Sequence, residues 1–308
     1  MKKSIVLMIF LLFGLSLIPI HGQTPSRDQI IYYTQEWEGE RYPDGRPRVP
    51  DDILERMKNV SIEQAWGVLR GEGYQNQFAG DWNMIHEDVP VVGRALTVQY
   101  MPSRPELQER MIEDGHAEGH VGPMNSWPID MLQQGDVYVA DLFGKVKDGT
   151  LIGDNLGNSI YTNSGNGVVF DGGLRDLSGL EEIEGFNAFV RGWDPSYLME
   201  TMLTGINVPI RIGEATVLPG DVVLAKREGV VFIPAHLAGR VVQTAEIVML
   251  RDQFGHEMLR KGVYTPGQID TRWSEAIEKH FSQWLQENKQ NLPVPEGRVE
   301  ELLKNRTW

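Results

Sequence analysis

Residues 167–176 read GVVFDGGLRD. The apolar run Val168-Val169-Phe170 has the length and composition of a strand buried on both faces. Asp171, a Gly-Gly pair and the adjacent Arg175 and Asp176 follow it. The glycines predict a flexible turn. The cation–anion pair then falls just beyond the strand's C-terminal end, where open α/β sheets place ligands. If the stretch is a strand feeding a helix, LRDLSGLEEI, its neighbours should alternate in the same way.

They do. VVGRALTVQYM (91–101) alternates and is rich in Val, Leu and Thr, which predicts a strand. After a polar, His-rich loop over 102–124, NSWPIDMLQQ reads as a short helix and VYVADLF as a strand entered through Gly135-Asp136. LIGDNLGNSIYTNSG (151–165) reads as a turn feeding a helix, and FNAFVRGW (186–193) as another strand. The second half changes to short strands with turns at Gly213, Pro219-Gly220 and 227–229. PGDVV near 219–223 echoes QGDVY at 134–138, the same turn chemistry used twice. The pattern predicts one α/β domain with a mixed sheet. An extended arm at 23–54 packs on it through Tyr32, Tyr33 and Trp37, and a helical extension occupies 236–308. Asp51 after Pro50 reads as a helix N-cap, and Ser61 with Gln64 as a capping box. Trp273, Phe281, Trp284 and Leu285 form a packing stripe in the tail.

Composition narrows the function. The chain has 308 residues, 41% hydrophobic and 23% charged, and no cysteine. Disulfides, thiolate nucleophiles and cysteine metal sites are excluded. The first 22 residues carry Lys2 and Lys3 and an apolar run from Ile5 to Ile20. That layout is read as a secretory signal peptide cleaved near Gly22, with an uncleaved membrane anchor as the alternative. The protein is expected to be exported, periplasmic or secreted, with no further segment to hold it in a membrane. Formal net charge is −14, and loss of the two lysines with the leader takes it to −16. Such a field repels nucleic acid and anionic lipid. An anionic substrate then needs a local positive site.

Two motifs supply one. Gly153-Asp154-Asn155-Leu156 begins a helix, where backbone N–H groups form an anion site. The same residues also read as an ordinary helix cap. Arg175 offers a fork that grips a carboxylate, and Asp176 offers an oxygen ligand for a hard divalent cation. As a pair they also read as a surface salt bridge. Both motifs follow successive strand–helix units, so parallel strands would bring them to one sheet edge. The set suits a small 2-keto acid. His116 and His120 could bind metal if their segment were extended, or simply sit in a polar loop.

GDNL, then GVVFDGGLRD, then FVRG resembles the RraA-like family, which includes regulators of ribonuclease activity and 4-hydroxy-4-methyl-2-oxoglutarate aldolases that also decarboxylate oxaloacetate. The resemblance spans about residues 55–235, including VVGRALTV, QGDVYVAD and PGDVV. It implies a layered α/β fold like a swivelling phosphohistidine domain, assembled as a trimer or hexamer with sites between subunits. It implies substrate contacts at Gly153, Asp154, Asn155, Leu156 and Arg175, and a Mg or Mn ion held by Asp176, with Arg175 and Asp176 catalytic. The implied activity is metal-dependent C–C cleavage of a 4-hydroxy-2-keto acid or oxaloacetate, releasing pyruvate or a similar acid. No lysine lies in the motifs for a Schiff base. Glu63, Glu214 and Glu228 from a neighbouring subunit are candidates to orient a water as base. Alternatives are a non-catalytic regulator on the same fold, or a lyase or hydrolase of sugar-derived acids. A menaquinone methyltransferase, a label given to some relatives, lacks a nucleotide-binding fingerprint here.

Overall fold

A computed structural model describes residues 23–305; the expected leader at 1–22 lies outside the described residues. The arm is partly helical, not wholly extended. Ser26 and Gln29 close a full capping box on α1 (Arg27–Tyr33). That local hydrogen bonding outweighs the extended bias of the arm's prolines, all of which lie outside the helix. Trp37 packs on the core, whereas Tyr32 points outward, 74% exposed, and holds nothing down. The first domain helix is α2 (Asp51–Met57), with Pro50 at its N-cap. Asp51 does not cap it, because its carboxylate accepts from Arg94 Nη1 at 2.8 Å. Helix α3 (Ile62–Gly71) carries the Ser61–Gln64 capping box read from sequence.

Strands β1 (Phe78–Ala79), β2 (Asn83–Met84) and β3 (Val91–Pro102) follow. The stretch read as a His-rich loop contains helix α4 (Pro105–Ala117) instead. Its high charge hides an apolar edge, from which Met111 and Ile112 pack on the core. Next come α5 (Trp127–Asp130), β4 (Asp136–Thr150), α6 (Asp154–Ser164), β5 (Val168–Leu174), α7 (Leu177–Glu181) and β6 (Ala188–Trp193). The second half supplies β7 (Thr201–Ile206), β8 (Ile210–Ile212), β9 (Ala215–Val217), β10 (Val222–Lys226) and β11 (Gly229–Ile233). The extension is α8 (Ala238–Arg260), α9 (Pro266–Ile269), α10 (Glu275–Asn288) and α11 (Glu296–Asn305). Trp273, Phe281, Trp284 and Leu285 are buried there in a separate apolar cluster with Phe254.

The main sheet is mixed, in the order β1-β11-β10-β3-β4-β5-β6-β2, with β7 also paired to β3. Strands β3 to β6 run parallel, while β10, β11, β1, β7 and β2 pair antiparallel. The opening stretch sits in the middle. Val168 and Phe170 face one core cluster, with Ile160 of α6, and Val169 faces the other. All three are fully buried, each contributing about 1.5–3 kcal/mol by leaving water.

Gly172 and Gly173 are not a flexible turn. They continue β5, paired to Lys145 and Thr150 as β4 arches over it. A Cβ on Gly172 would stand 2.8 Å from Leu142 Cβ, and one on Gly173 3.0 Å from the Val146 carbonyl oxygen. The glycines are there because two backbones approach closely.

Candidate functional site

The parallel strands bring the two sequence corners together. Leu151 N–H donates to the Gly173 carbonyl at 3.0 Å, and Arg175 N–H donates to the Ile152 carbonyl at 3.2 Å. These bonds fix the start of α6 against the end of β5. Gly153 is the N-cap of α6, and Gly157 N–H closes the first turn on its carbonyl at 2.9 Å. The N–H groups of Asp154, Asn155 and Leu156 therefore have no backbone partner within the helix. Asp154 Oδ1 takes that of Asn155 at 2.8 Å.

Asp176 occupies the N-cap of α7 with φ +56°, a left-handed conformation uncommon for a residue with a Cβ. Its carboxylate lies over Gly153, where an added Cβ would fall 2.2 Å from Asp176 Oδ2. In return, a Cβ on Gly179 of α7 would lie 2.8 Å from Asp154 Oδ2. The two helix starts thus interlock, each carboxylate seated against the other's glycine. Arg175 Nη1 is 3.7 Å from Asp176 Oδ2, and both side chains are partly exposed, 34% and 41%. The guanidinium rests 4.8 Å from the ring centre of Tyr197.

Tyr197 was not legible as a site residue. It follows β6 on a loop held by Ser196, whose Oγ accepts from Asp148 N–H at 2.7 Å and whose carbonyl accepts from Thr150 Oγ1. The only sequence signal is the turn-forming Asp194-Pro195-Ser196 before it. Arg191 of FVRG lies elsewhere. It donates to Asp171 at 2.6 Å and covers Trp82 at 3.8 Å, tying β5 and β6 to the segment before β2.

The other candidates do not join this corner within one chain. Glu228 lies in the β10–β11 turn and Glu214 in the β8–β9 turn, and both are exposed. Because β10 runs antiparallel to β3, pairing Ala225 with Val91, Glu228 sits at the opposite end of the sheet from Arg175. Glu63 shares the surroundings of Lys226 there, and the Glu214 turn packs on Ala79 of β1 beside it. His116 ends α4, and the rings of His116 and His120 pack on buried Trp127 at 5.8 and 5.0 Å. The segment is not the extended one that would point both rings at a metal. Among the described residues no group of three or more His, Asp or Glu side chains is arranged around one point.

A divalent cation fits the corner through few protein atoms. Asp176 provides hard oxygen donors, Gly153 leaves room for its carboxylate, and the open side faces solvent. Mg, which keeps several waters and takes one or two carboxylates, suits such a site.

The profile of the RraA-like family (Aldolase/RraA) matches residues 61–232. The chain belongs to the RraA-like family. Over 112 residues it is 32% identical to a Halalkalibacterium halodurans protein provisionally named a 4-hydroxy-4-methyl-2-oxoglutarate aldolase, covering 36% of this chain and 52% of that one. It is 25% identical over 170 residues to Protein DlpA of Legionella pneumophila, covering 55% of this chain and 25% of that one. The chain thus spans about half and a quarter of the lengths of these two relatives. Among solved structures, Streptomyces coelicolor RraAS2, described as an unusual member of the RNase ES inhibitor RraA protein family, superposes with TM-score 0.58 at 25% identity, over 68% of this chain and 98% of that one. A protein from Pseudomonas syringae pv. tomato shares the fold with TM-score 0.60 at 24% identity, over 75% of this chain and 99% of that one. The RraA-like core with its mixed sheet is therefore established, with extra helices beyond it.

Proposed function

We propose that this RraA-like chain is a divalent-metal-dependent lyase that cleaves a C–C bond in a 4-hydroxy-2-keto acid or oxaloacetate and releases pyruvate or a similar 2-keto acid. The observation that carries this reading is the apposition of Asp176 and Gly153, with Arg175 beside them. The aldolase-named relative supports it at the level of the family.

Charge decides what the corner can take. Two carboxylates, Asp154 and Asp176, stand against one guanidinium, Arg175. A dianionic keto acid would be repelled unless a cation joins them. Asp176 would hold Mg or Mn, which when bound supplies the polarisation of the ketone. Arg175 receives the substrate carboxylate by paired N–H bonds, and in this reading the Asp154 and Leu156 N–H groups at the start of α6, which lack a backbone partner in the helix, assist it. The Tyr197 ring holds the guanidinium in place by a cation–π contact, so the fork is oriented before substrate arrives. As the C–C bond breaks, Arg175 offsets the negative charge that grows on the keto-acid fragment. The general base belongs to another copy in this reading. Glu63, Glu214 and Glu228 are exposed at the far end of the sheet, where a neighbour in a trimer or hexamer can bring one of them to this corner. In this reading the apolar N-terminal segment serves as an export signal, and the enzyme acts in the periplasm or is secreted.

The test is pyruvate release from oxaloacetate and from 4-hydroxy-2-keto acids, with Mg and with EDTA. Turnover is expected with Mg, falling to background with EDTA and in Asp176→Ala. Gly153→Ala pushes the Asp176 carboxylate aside and is expected to reduce turnover while the circular dichroism stays unchanged. Turnover that survives both EDTA and Asp176→Ala overturns the lyase reading, and so does a folded, Mg-loaded chain inert to every such acid.

A further inference from the structure

A cavity lies away from this corner. It encloses about 460 Å³ between the arm, the segment after α3 and the turn entering α8. Tyr33, Trp37 and Tyr74 give it three aromatic walls, with Glu36, Asp221 and His236 among its polar lining. The arm residues and His236 fall outside the family match at 61–232, so much of this cavity is added to the RraA-like core.

Its charge is one-sided. Two carboxylates line it, and no lysine or arginine does. Asp221 is 3% exposed, and among the described residues it forms no ion pair. Its oxygens accept only backbone N–H groups, from Leu218 at 2.8 Å and from Ala235. A buried carboxylate without a counter-cation is unfavourable. Burial accordingly pushes its pKa up to about 7. His236 is held below its ordinary value by burial, so it does not supply the missing charge near neutral pH. Tyr74 Oη lies 3.4 Å from His236 Nε2, which joins these two walls.

We propose that this cavity binds a small organic ammonium ion, seated against the aromatic rings and neutralised by Asp221 and Glu36. Aromatic faces attract such cations through the ring quadrupole, and the pairing strengthens where water is excluded. The volume is in the range of small-ligand sites. A neutral sugar would also stack on aromatic rings, but it would pair with neither the Glu36 carboxylate nor the ionised form of Asp221.

Calorimetric titration of the full folded chain with choline tests this, against 3,3-dimethyl-1-butanol as its uncharged isostere and glucose as a neutral polyol. Choline is expected to bind in the millimolar range or tighter, and at least about tenfold more tightly than either neutral probe. Asp221→Asn and Glu36→Gln are each expected to weaken choline several-fold. Glu36 is exposed, so that variant reports even if Asp221→Asn fails to fold. The proposal is overturned if choline gives no binding, if the alcohol or glucose binds as tightly, or if Glu36→Gln leaves the affinity unchanged.

Discussion

The turns at Gln133–Asp136 and Leu218–Asp221 are built alike. In each, a glycine in the third position has positive φ, +80° at Gly135 and +84° at Gly220. In each, the first residue's N–H donates to the aspartate Oδ2, at 2.9 and 2.8 Å, and the aspartate N–H returns to the first residue's carbonyl, at 2.9 and 3.1 Å. Each turn launches a central strand, β4 or β10. The surroundings differ. Asp136 receives Arg46 Nη1 at 2.9 Å, and Arg94 Nε stands 3.8 Å from its other oxygen. Both guanidiniums also lie over the Tyr42 ring. Asp221 has the same turn, the same burial and no cation, and it faces a cavity. One copy of the device has become a clamp that fastens the arm, and the other has been left without a cation.

The largest effect should come from breaking the clamp. Asp136→Ala removes the anion that the buried Arg46 and Arg94 share, but Arg46 keeps Asp44 and Arg94 keeps Asp51, each at 2.8 Å, so the loss is expected at the lower end of the roughly 3–5 kcal/mol that a stranded buried charge costs. Urea unfolding at neutral pH reads this directly. Asp221→Asn strands no cation and should lose far less. Equal losses in the two variants would mean that the arginines contribute nothing beyond what the turn itself does.

Next is the pH dependence that the lone carboxylate imposes. Burial lifts Asp221 from an ordinary 3.8 to about 7 in the folded chain. The folded state therefore holds a proton that the unfolded state has lost. The stability this gives is fully present below about pH 4 and is lost as pH rises through about 7. A shift of this size corresponds to at most about 4 kcal/mol. Asp221→Asn should flatten that part of the stability curve. Subtracting the variant from the wild type cancels the contributions of Glu36, Glu72 and His236, which share the surroundings. A difference that stays constant from acid to neutral pH would show that Asp221 is solvated in the fold, and the contrast with Asp136 would disappear.

The reach of the sequence follows the reach of the interactions. The echo of QGDVY in PGDVV was legible because each turn is made within four residues. So was the Ser61–Gln64 box, and so was the strand–helix alternation that brings Gly153 and Arg175 together. What was not legible depends on distant partners. Arg46 and Asp136 are ninety positions apart, and nothing in either segment announces the other. Tyr197 meets Arg175 only because the loop after β6 is tied back to Asp148 and Thr150. The Gly172-Gly173 pair was read as flexibility, since a sequence shows a missing Cβ but not the backbone that fills its place. The charged stretch holding α4 was read as a loop because few of its residues are apolar, although those few share a face.

The smallest effect sharpens the comparison at the glycines. Alanine at either position keeps a left-handed backbone, at about 1–2 kcal/mol each. The added methyl then meets different neighbours. At Gly135 it would fall 2.4 Å from Arg94 Nη2, the far end of a side chain, which can shift by giving up its bond to the Gln134 carbonyl while Nη1 keeps Val49 and Asp51. At Gly220 it would fall 2.6 Å from Pro47 Cδ and 3.0 Å from both Pro47 N and O. A proline ring and its backbone cannot rotate aside, so the arm itself must shift. Gly220→Ala is therefore expected to be the more destabilising of the two, by about 1 kcal/mol, roughly the contribution of one hydrogen bond. Paired urea midpoints measure the difference. Since Tyr33 and Trp37 ride on the same arm, Gly220→Ala should also weaken choline binding, whereas Gly135→Ala should not. Equal midpoints with unchanged choline affinity would mean that the arm yields at Pro47 as readily as one side chain rotates, which a segment clamped by Arg46 and Asp136 should not do.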